Sequence, residues 1–117
     1  HYQTLKEDRP DLYARVKEKV ASGQWDANGA MWIEPDVRMP SGESLIRQML
    51  YGIDFFEREF GVKDHVLFLP DTFGHAPVMP QLMRGFGIEA LYGMRVRDAN
   101  NPHDVFRWQG IDGSQVL

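Results

Sequence analysis

The sequence predicts an α/β fold in which parallel strands alternate with amphipathic helices. Three observations carry this reading. The run Val66-Leu67-Phe68-Leu69 has no polar alternation, the mark of a strand covered on both faces. Apolar residues recur at helical spacing on either side of it. The resulting order of helix, strand, helix, strand, helix, strand is the order that right-handed crossovers join into one parallel sheet.

Each element has its own signals. Pro10 suits a first helical turn, and Leu12, Val16 and Val20 then recur every four residues until Ser22-Gly23. Ala30-Met31-Trp32-Ile33 is too short for a helix and is closed by Pro35, so it reads as a buried strand ending near Glu34. Ser41 is an N-cap for a long helix whose face is marked by Leu45, Ile46, Met49, Leu50, Ile53, Phe56 and Phe60, with Gly61 placed to end it. After the 66–69 strand, Val78, Leu82, Met83 and Phe86 keep helical spacing, with Pro77 or Pro80 near the start and Gly87 at the end. A strand follows from Ala90 to Met94 or Arg95, then a loop over 97–103. Val105-Phe106-Arg107-Trp108 and Gln115-Val116-Leu117 flank the turn Gly110-Ile111-Asp112-Gly113 as a C-terminal hairpin.

Composition sets the outer limits. With 117 residues, 43% of them hydrophobic and 26% charged, the chain has the makeup of one globular domain. A formal charge of -4 without a basic run argues against a phosphate-tracking surface, so no nucleic acid partner is expected. No apolar run exceeds four residues, and none approaches the roughly twenty that span a bilayer, so no membrane partner is expected either. The absence of cysteine excludes disulfide scaffolds, thiolate zinc sites and thiol nucleophiles, and it favours a cytoplasmic location. Any metal must be held by histidine or carboxylate. The chain starts at His1 and stops at Leu117 as a strand is beginning, so it reads as an internal segment of one domain.

In α/β sheets ligands meet the loops at the carboxyl ends of strands. Three places qualify: Glu34-Pro35-Asp36, Pro70 to His75, and Arg95. Asp71 directly follows the most apolar strand, where its carboxylate would be held at the mouth of the sheet as a nucleophile or metal ligand. The same position suits an Asx-turn or a helix cap. Arg95, 24 residues further on, is either a site residue or a solvated arginine beside Arg97. Phe73 is either a pocket wall or core packing. Trp32 and Trp108 read as core, and hydrogen-bonding or capping duty fits Glu34 and Asp36 better than catalysis.

The runs Gly29-Ala30-Met31-Trp32-Ile33-Glu34-Pro35-Asp36, Pro40 to Gln48 and Leu69-Pro70-Asp71-Thr72-Phe73-Gly74-His75 resemble the catalytic domain of glycoside hydrolase family 38, the zinc-dependent retaining α-mannosidases. The likeness covers nearly the whole chain in order, with a spacing of 35 positions from Asp36 to Asp71 and a long helix between them. It implies a parallel-stranded, barrel-like α/β catalytic domain acting on a mannose-containing oligosaccharide or a small mannoside. It further implies that Asp71 is both catalytic nucleophile and zinc ligand, and that Arg95 and Phe73 line the substrate site. A retaining glycosidase needs an ionised carboxylate to attack the anomeric carbon and an acid opposite it to protonate the leaving oxygen. A neighbouring Zn²⁺ favours the ionised carboxylate, and it can chelate the cis diol that mannose presents.

The resemblance also implies what is missing. The family's early His-x-His-x-x-Asp-like ligand segment, a later histidine ligand and the general-acid Asp all fall outside residues 1–117. The isolated segment is therefore expected to bind zinc weakly if at all, to be catalytically inert, and to self-associate through faces that the rest of the domain would cover. At His75, a hydrogen-bonding or packing role is expected instead of zinc ligation, and His65 and His103 are expected to be solvated or locally bonded. Two other readings stand beside this one. A metal-dependent carbohydrate deacetylase would need two histidines near an Asp, and a non-catalytic sugar-binding or assembly module would use Asp71 only as a turn residue.

Overall fold

The computed structural model describes residues 1–95 and 103–117. Two helices open the chain, α1 (Tyr2–Asp8) and α2 (Pro10–Ala21), and Pro10 at the start of α2 separates them. The spacing of apolar residues does not announce α1, which buries no residue of its own. It is held from outside, by Tyr2 edge-on to Phe56 and Phe60 and by Lys6 paired with Glu59. Helix α3 (Gly42–Phe60) follows the expected signals at both ends. Ser41 Oγ accepts the Ser44 N–H, and Gly61 takes the left-handed conformation (φ 69°) that terminates the helix.

Strand β1 (Val66–Phe68), helix α4 (Met79–Gly85) and strand β2 (Ala90–Tyr92) form one crossover unit. β1 and β2 run parallel, with Val66 opposite Ala90, Leu67 opposite Leu91 and Phe68 opposite Tyr92. Beyond β2 come β3 (Trp108–Gln109) and β4 (Gln115–Val116), an antiparallel hairpin around the expected turn. Its last residue joins the parallel sheet: Leu117 N–H donates to Glu89 O, and Leu91 N–H donates to Leu117 O. Leu67 and Leu69 of the β1 region bury against Leu45 and Met49 of α3, Met79 and Met83 of α4, and Ile88. The α/β class and the parallel pair therefore agree with the sequence reading.

Several finer expectations change. The run 30–34 is not a strand. Only Gly29 makes a single parallel bridge to Leu67, and the chain then turns through Gly29 (φ 137°) and Ala30 (φ 61°). Its backbone groups are claimed by other partners. Ala30 N–H donates to Asp64 Oδ2 at 3.2 Å, Trp32 N–H to Gln48 O at 2.9 Å, and Ile33 N–H to Gln48 Oε1 at 3.1 Å. Satisfied in this way, those groups have no need of a sheet partner. Trp32 is consequently not core: it is 42% exposed and packs edge-on against Phe55.

β1 is covered on one face only. Leu67 is fully buried, while Val66 and Phe68 are exposed and Phe68 stacks on exposed Tyr92 at 5.1 Å. Helices α3 and α4 both contribute to the core around Leu67, so the apolar run does not report two covers. β2 ends at Tyr92, before Met94 and Arg95, which lie in a turn. The loop expected at 97–103 falls, for residues 97–102, outside the described residues. Among the described residues no helix is long and apolar enough to cross a membrane.

Candidate active site

Parallel pairing decides where the polar residues gather. Because β1 and β2 run the same way, the segments leaving their carboxyl ends emerge side by side, and Met94 N–H donates to Pro70 O across them at 3.3 Å. Asp71 and Arg95, 24 residues apart, thereby meet. Arg95 Nε and Nη2 both donate to Asp71 Oδ1, at 3.0 and 2.8 Å. Neither bond uses Oδ2, so the guanidinium fixes the carboxylate by one oxygen and leaves the other to the cleft. Asp71's side chain is 69% exposed and that of Arg95 46%, so the carboxylate is solvent-accessible but not remote from the guanidinium. Phe73, 68% exposed, is no part of the core. Its ring lies 4.6 Å from the guanidinium carbon of Arg95, a cation–π contact that further restrains the arginine.

The neighbouring acidic segment completes a cleft of about 320 Å³ lined by Glu34, Pro35, Asp36, Asp71, Thr72 and Phe73. Glu34 and Asp36 play different parts. Asp36 Oδ1 accepts the N–H groups of Met39 and Arg38, at 2.9 and 2.7 Å. Those two bonds hold its carboxyl below the ordinary aspartate range and close an Asx-type turn. Glu34 reaches across instead: its Oε1 accepts the Asp71 N–H at 2.6 Å and the Thr72 hydroxyl at 3.2 Å. Thr72 shares that hydroxyl with Pro35 O, also at 3.2 Å, and is itself buried. Sequence reasoning named Glu34 without a role and passed over Thr72 and Gln48. A signal for Gln48 was present, since Gln48 and Gly52 interrupt the apolar stripe of Leu45, Met49 and Phe56, as positions facing main chain would.

The histidines stay apart from this cleft. His75 packs its ring edge-on against Trp108 at 5.9 Å, with both nitrogens buried and without a hydrogen-bond partner. Burial pushes its pKa down, which keeps the imidazole neutral. Its part is packing, one of the two roles expected for it. His65 precedes β1 while Asp71 follows it, so the two lie at opposite ends of the strand, and His65 Nδ1 sits 3.5 Å from Gly87 O. His103 is exposed. His65, Asp71 and His75 are not assembled into one site, as a deacetylase-type centre would require. Among the described residues no group of three or more His, Cys, Asp or Glu side chains is placed to hold a metal ion. Of the three carboxylates that line the cleft, Glu34 and Asp36 already accept main-chain N–H groups, while Asp71 is paired with Arg95 through Oδ1 only.

Residues 1–117 match the Glycosyl hydrolases family 38 N-terminal domain. The chain is 51% identical over 119 aligned residues to alpha-mannosidase G of Dictyostelium discoideum, covering 99% of this chain. It is 42% identical over 120 residues to an alpha-mannosidase of Saccharomyces cerevisiae, again over 99% of the chain. In each case it spans 11% of the relative's length. Among solved structures, an alpha-mannosidase from Enterococcus faecalis V583 superposes with a TM-score of 0.75, covering 95% of this chain and 13% of that one. At 24% identity that likeness concerns the fold alone. On sequence match and relatives together, the chain belongs to glycosyl hydrolase family 38, within the family's N-terminal domain.

Proposed function

We propose that these 117 residues are one segment of the barrel-like catalytic domain of a retaining, zinc-dependent α-mannosidase, with Asp71 as its nucleophile and Arg95 and Phe73 as substrate-site residues. The observation that carries the reading is the Asp71–Arg95 pair. A carboxylate stands at the carboxyl end of a parallel strand, oriented through one oxygen and open to a cleft through the other.

In this reading one Asp71 oxygen bonds to the anomeric carbon of an α-mannoside while the bond from that carbon to the leaving oxygen breaks. An acid from outside these residues gives the leaving oxygen its proton. Water then gives a proton back to that acid as it attacks the same carbon, breaking the bond to Asp71, releasing mannose with retained configuration and restoring the carboxylate. Arg95 keeps Asp71 from rotating during both steps, and Phe73 supplies an apolar wall beside the guanidinium. Zinc fits this cleft only in part, because Asp71 is the one lining carboxylate not already taken by main-chain N–H groups and a protein zinc site takes at least three ligands. When bound, the ion would supply positive charge and a chelating position for vicinal sugar hydroxyls. The isolated segment is accordingly inactive. Absence of cysteine supports a cytoplasmic location for the whole protein.

The test is Asp71→Asn in the full-length protein, assayed on an aryl α-mannoside. Turnover is expected to fall on the order of 10³-fold or more. A 2-fluoromannosyl donor should label wild type on the peptide that contains Asp71. Unchanged turnover in the variant, or labelling of another peptide, removes Asp71 from the reaction.

A further inference from the structure

Arg95 restrains the Asp71 side chain only at its carboxyl end, through Oδ1. Beyond the short strand β1, the direction of its Cα–Cβ bond is set by the turn from Pro70 to Thr72. The backbone bonds of that turn therefore aim the carboxylate. One of them is unusual: the Asp71 N–H donates to a carboxylate 37 residues away, Glu34 Oε1, at 2.6 Å. The same oxygen takes the Thr72 hydroxyl at 3.2 Å. A hydrogen bond to an ionised acceptor is roughly twice as strong as a neutral one.

Glu34 can serve as an anchor only if it is itself anchored, and it is tied on both sides. On one side, Trp32 and Ile33 donate their N–H groups to Gln48 of α3, through its carbonyl at 2.9 Å and its side-chain Oε1 at 3.1 Å. Gly52, one turn further along α3, lets the 30–32 backbone lie against the helix. On the other side, Asp36 closes its turn onto Arg38 and Met39. Helix α3, the longest element of the chain, is thus connected to Asp71 through Gln48, the 32–34 backbone and the Glu34 carboxylate.

We propose that Glu34 is the positioning residue of the Asp71 nucleophile, aiming it through the Asp71 main-chain N–H and so transmitting the rigidity of α3 to the reacting carboxylate. The proposal rests on the reading of Asp71 as nucleophile given above. Glu34 needs no contact with the sugar in this role, and any acceptor oxygen at the same place can fill it.

Four variants of the full-length protein test this, with kcat and KM on an aryl α-mannoside measured per folded molecule. Glu34→Ala is expected to lower kcat on the order of 10- to 100-fold with a much smaller change in KM. Glu34→Gln keeps an acceptor oxygen at the same reach and is expected to stay within about threefold of wild type. Should Glu34→Ala fail to fold, Glu34→Asp withdraws the acceptor by one methylene and should still lower kcat about tenfold. In a ¹⁵N-resolved spectrum the Asp71 amide proton should move upfield in Glu34→Ala and by clearly less in Glu34→Gln, whose neutral acceptor makes a weaker bond. Wild-type kcat in Glu34→Ala or in Glu34→Asp, or a glutamine variant as impaired as the alanine one, overturns the proposal. Asp71→Asn separates the two levels. If it retains activity, the nucleophile reading fails. If it is inactive while Glu34→Ala is fully active, the positioning role alone fails.

Discussion

Replacing Gly52 by alanine adds one methyl group to a helix, a change that ordinarily stabilises by roughly 0.5–1 kcal/mol. Here the structure reverses the sign. A Cβ on Gly52 would lie 2.2 Å from Ala30 O, 2.5 Å from Met31 C and 2.7 Å from Trp32 N, all main-chain atoms. Ordinary contact requires the 30–32 backbone to retreat by about 1 Å or more. That retreat pulls on three hydrogen bonds at once: Ala30 N–H to Asp64, Trp32 N–H to Gln48 O and Ile33 N–H to Gln48 Oε1. Losing two of them costs about 2 kcal/mol, and overpacking adds about 1–3 kcal/mol. Set against the helix gain, the net loss is about 2–4 kcal/mol, a large part of the stability of a small domain. Urea unfolding followed by circular dichroism measures it. Gly42→Ala is the control, since Gly42 also lies in α3 but its added Cβ would meet nothing within 4 Å. That control should be neutral or slightly stabilising. If Gly52→Ala unfolds at the same urea concentration as Gly42→Ala, the close approach inferred here is wrong.

Asp64, buried where it accepts the Ala30 N–H, has its pKa pushed up to about 6 chiefly by desolvation, with that N–H opposing the shift. The unfolded carboxyl titrates near about 3.9, so the native state binds the extra proton. The Asp64 contribution to stability should therefore be greatest below about pH 4 and decline by roughly 2–3 kcal/mol as pH rises through 6, a component that comparison with Asp64→Asn isolates in urea titrations at stepped pH. Arg95→Lys cannot place two N–H groups on Asp71 Oδ1 and loses the planar contact with Phe73; kcat/KM of the full-length protein on an aryl mannoside should drop on the order of tenfold, and an unchanged value would mean that the guanidinium does not orient the Asp71 carboxylate for the proposed reaction. The isolated 117-residue chain should self-associate through the exposed face of Val66, Phe68 and Tyr92, and Phe68→Lys should return it to a monomer in sedimentation equilibrium.

How much of this was legible in the sequence depended on how local the cause was. Helix α3 was readable from end to end, because its cap, its apolar stripe and its terminating glycine are all written in the one local run from Ser41 to Gly61. The Asp71–Arg95 pairing was readable too, since two parallel strands force their carboxyl ends together whatever the side chains are. The run Ala30 to Ile33 misled because strand-like composition records only that side chains are apolar. It does not record that the backbone partners are Gln48 and Asp64, 15 to 34 positions away. The bond from Asp71 to Glu34 spans 37 positions and involves a main-chain donor, so it leaves no periodicity to find. α1 was hidden for a similar reason, being held by Tyr2 and Lys6 against α3 and not by a stripe of its own.

The same separation divides the molecule's stability from its chemistry. Gly52, Gln48 and Asp64 lie in buried or backbone-bonded places where each lost contact is costly, and none of them reaches the cleft lining. Asp71, Arg95 and Phe73 are exposed, and an exposed pair of this kind contributes only about 0–1 kcal/mol to folding. Substitution in the cleft should therefore silence the reaction in a protein that still unfolds at its native urea midpoint. Substitution behind the cleft should weaken the fold and the reaction together. Glu34, like Asp36 and Thr72, belongs to both groups: it lines the cleft, yet its hydrogen bonds run to the Asp71 main chain and to a buried hydroxyl. Through it, the packing of α3 becomes the orientation of a carboxylate.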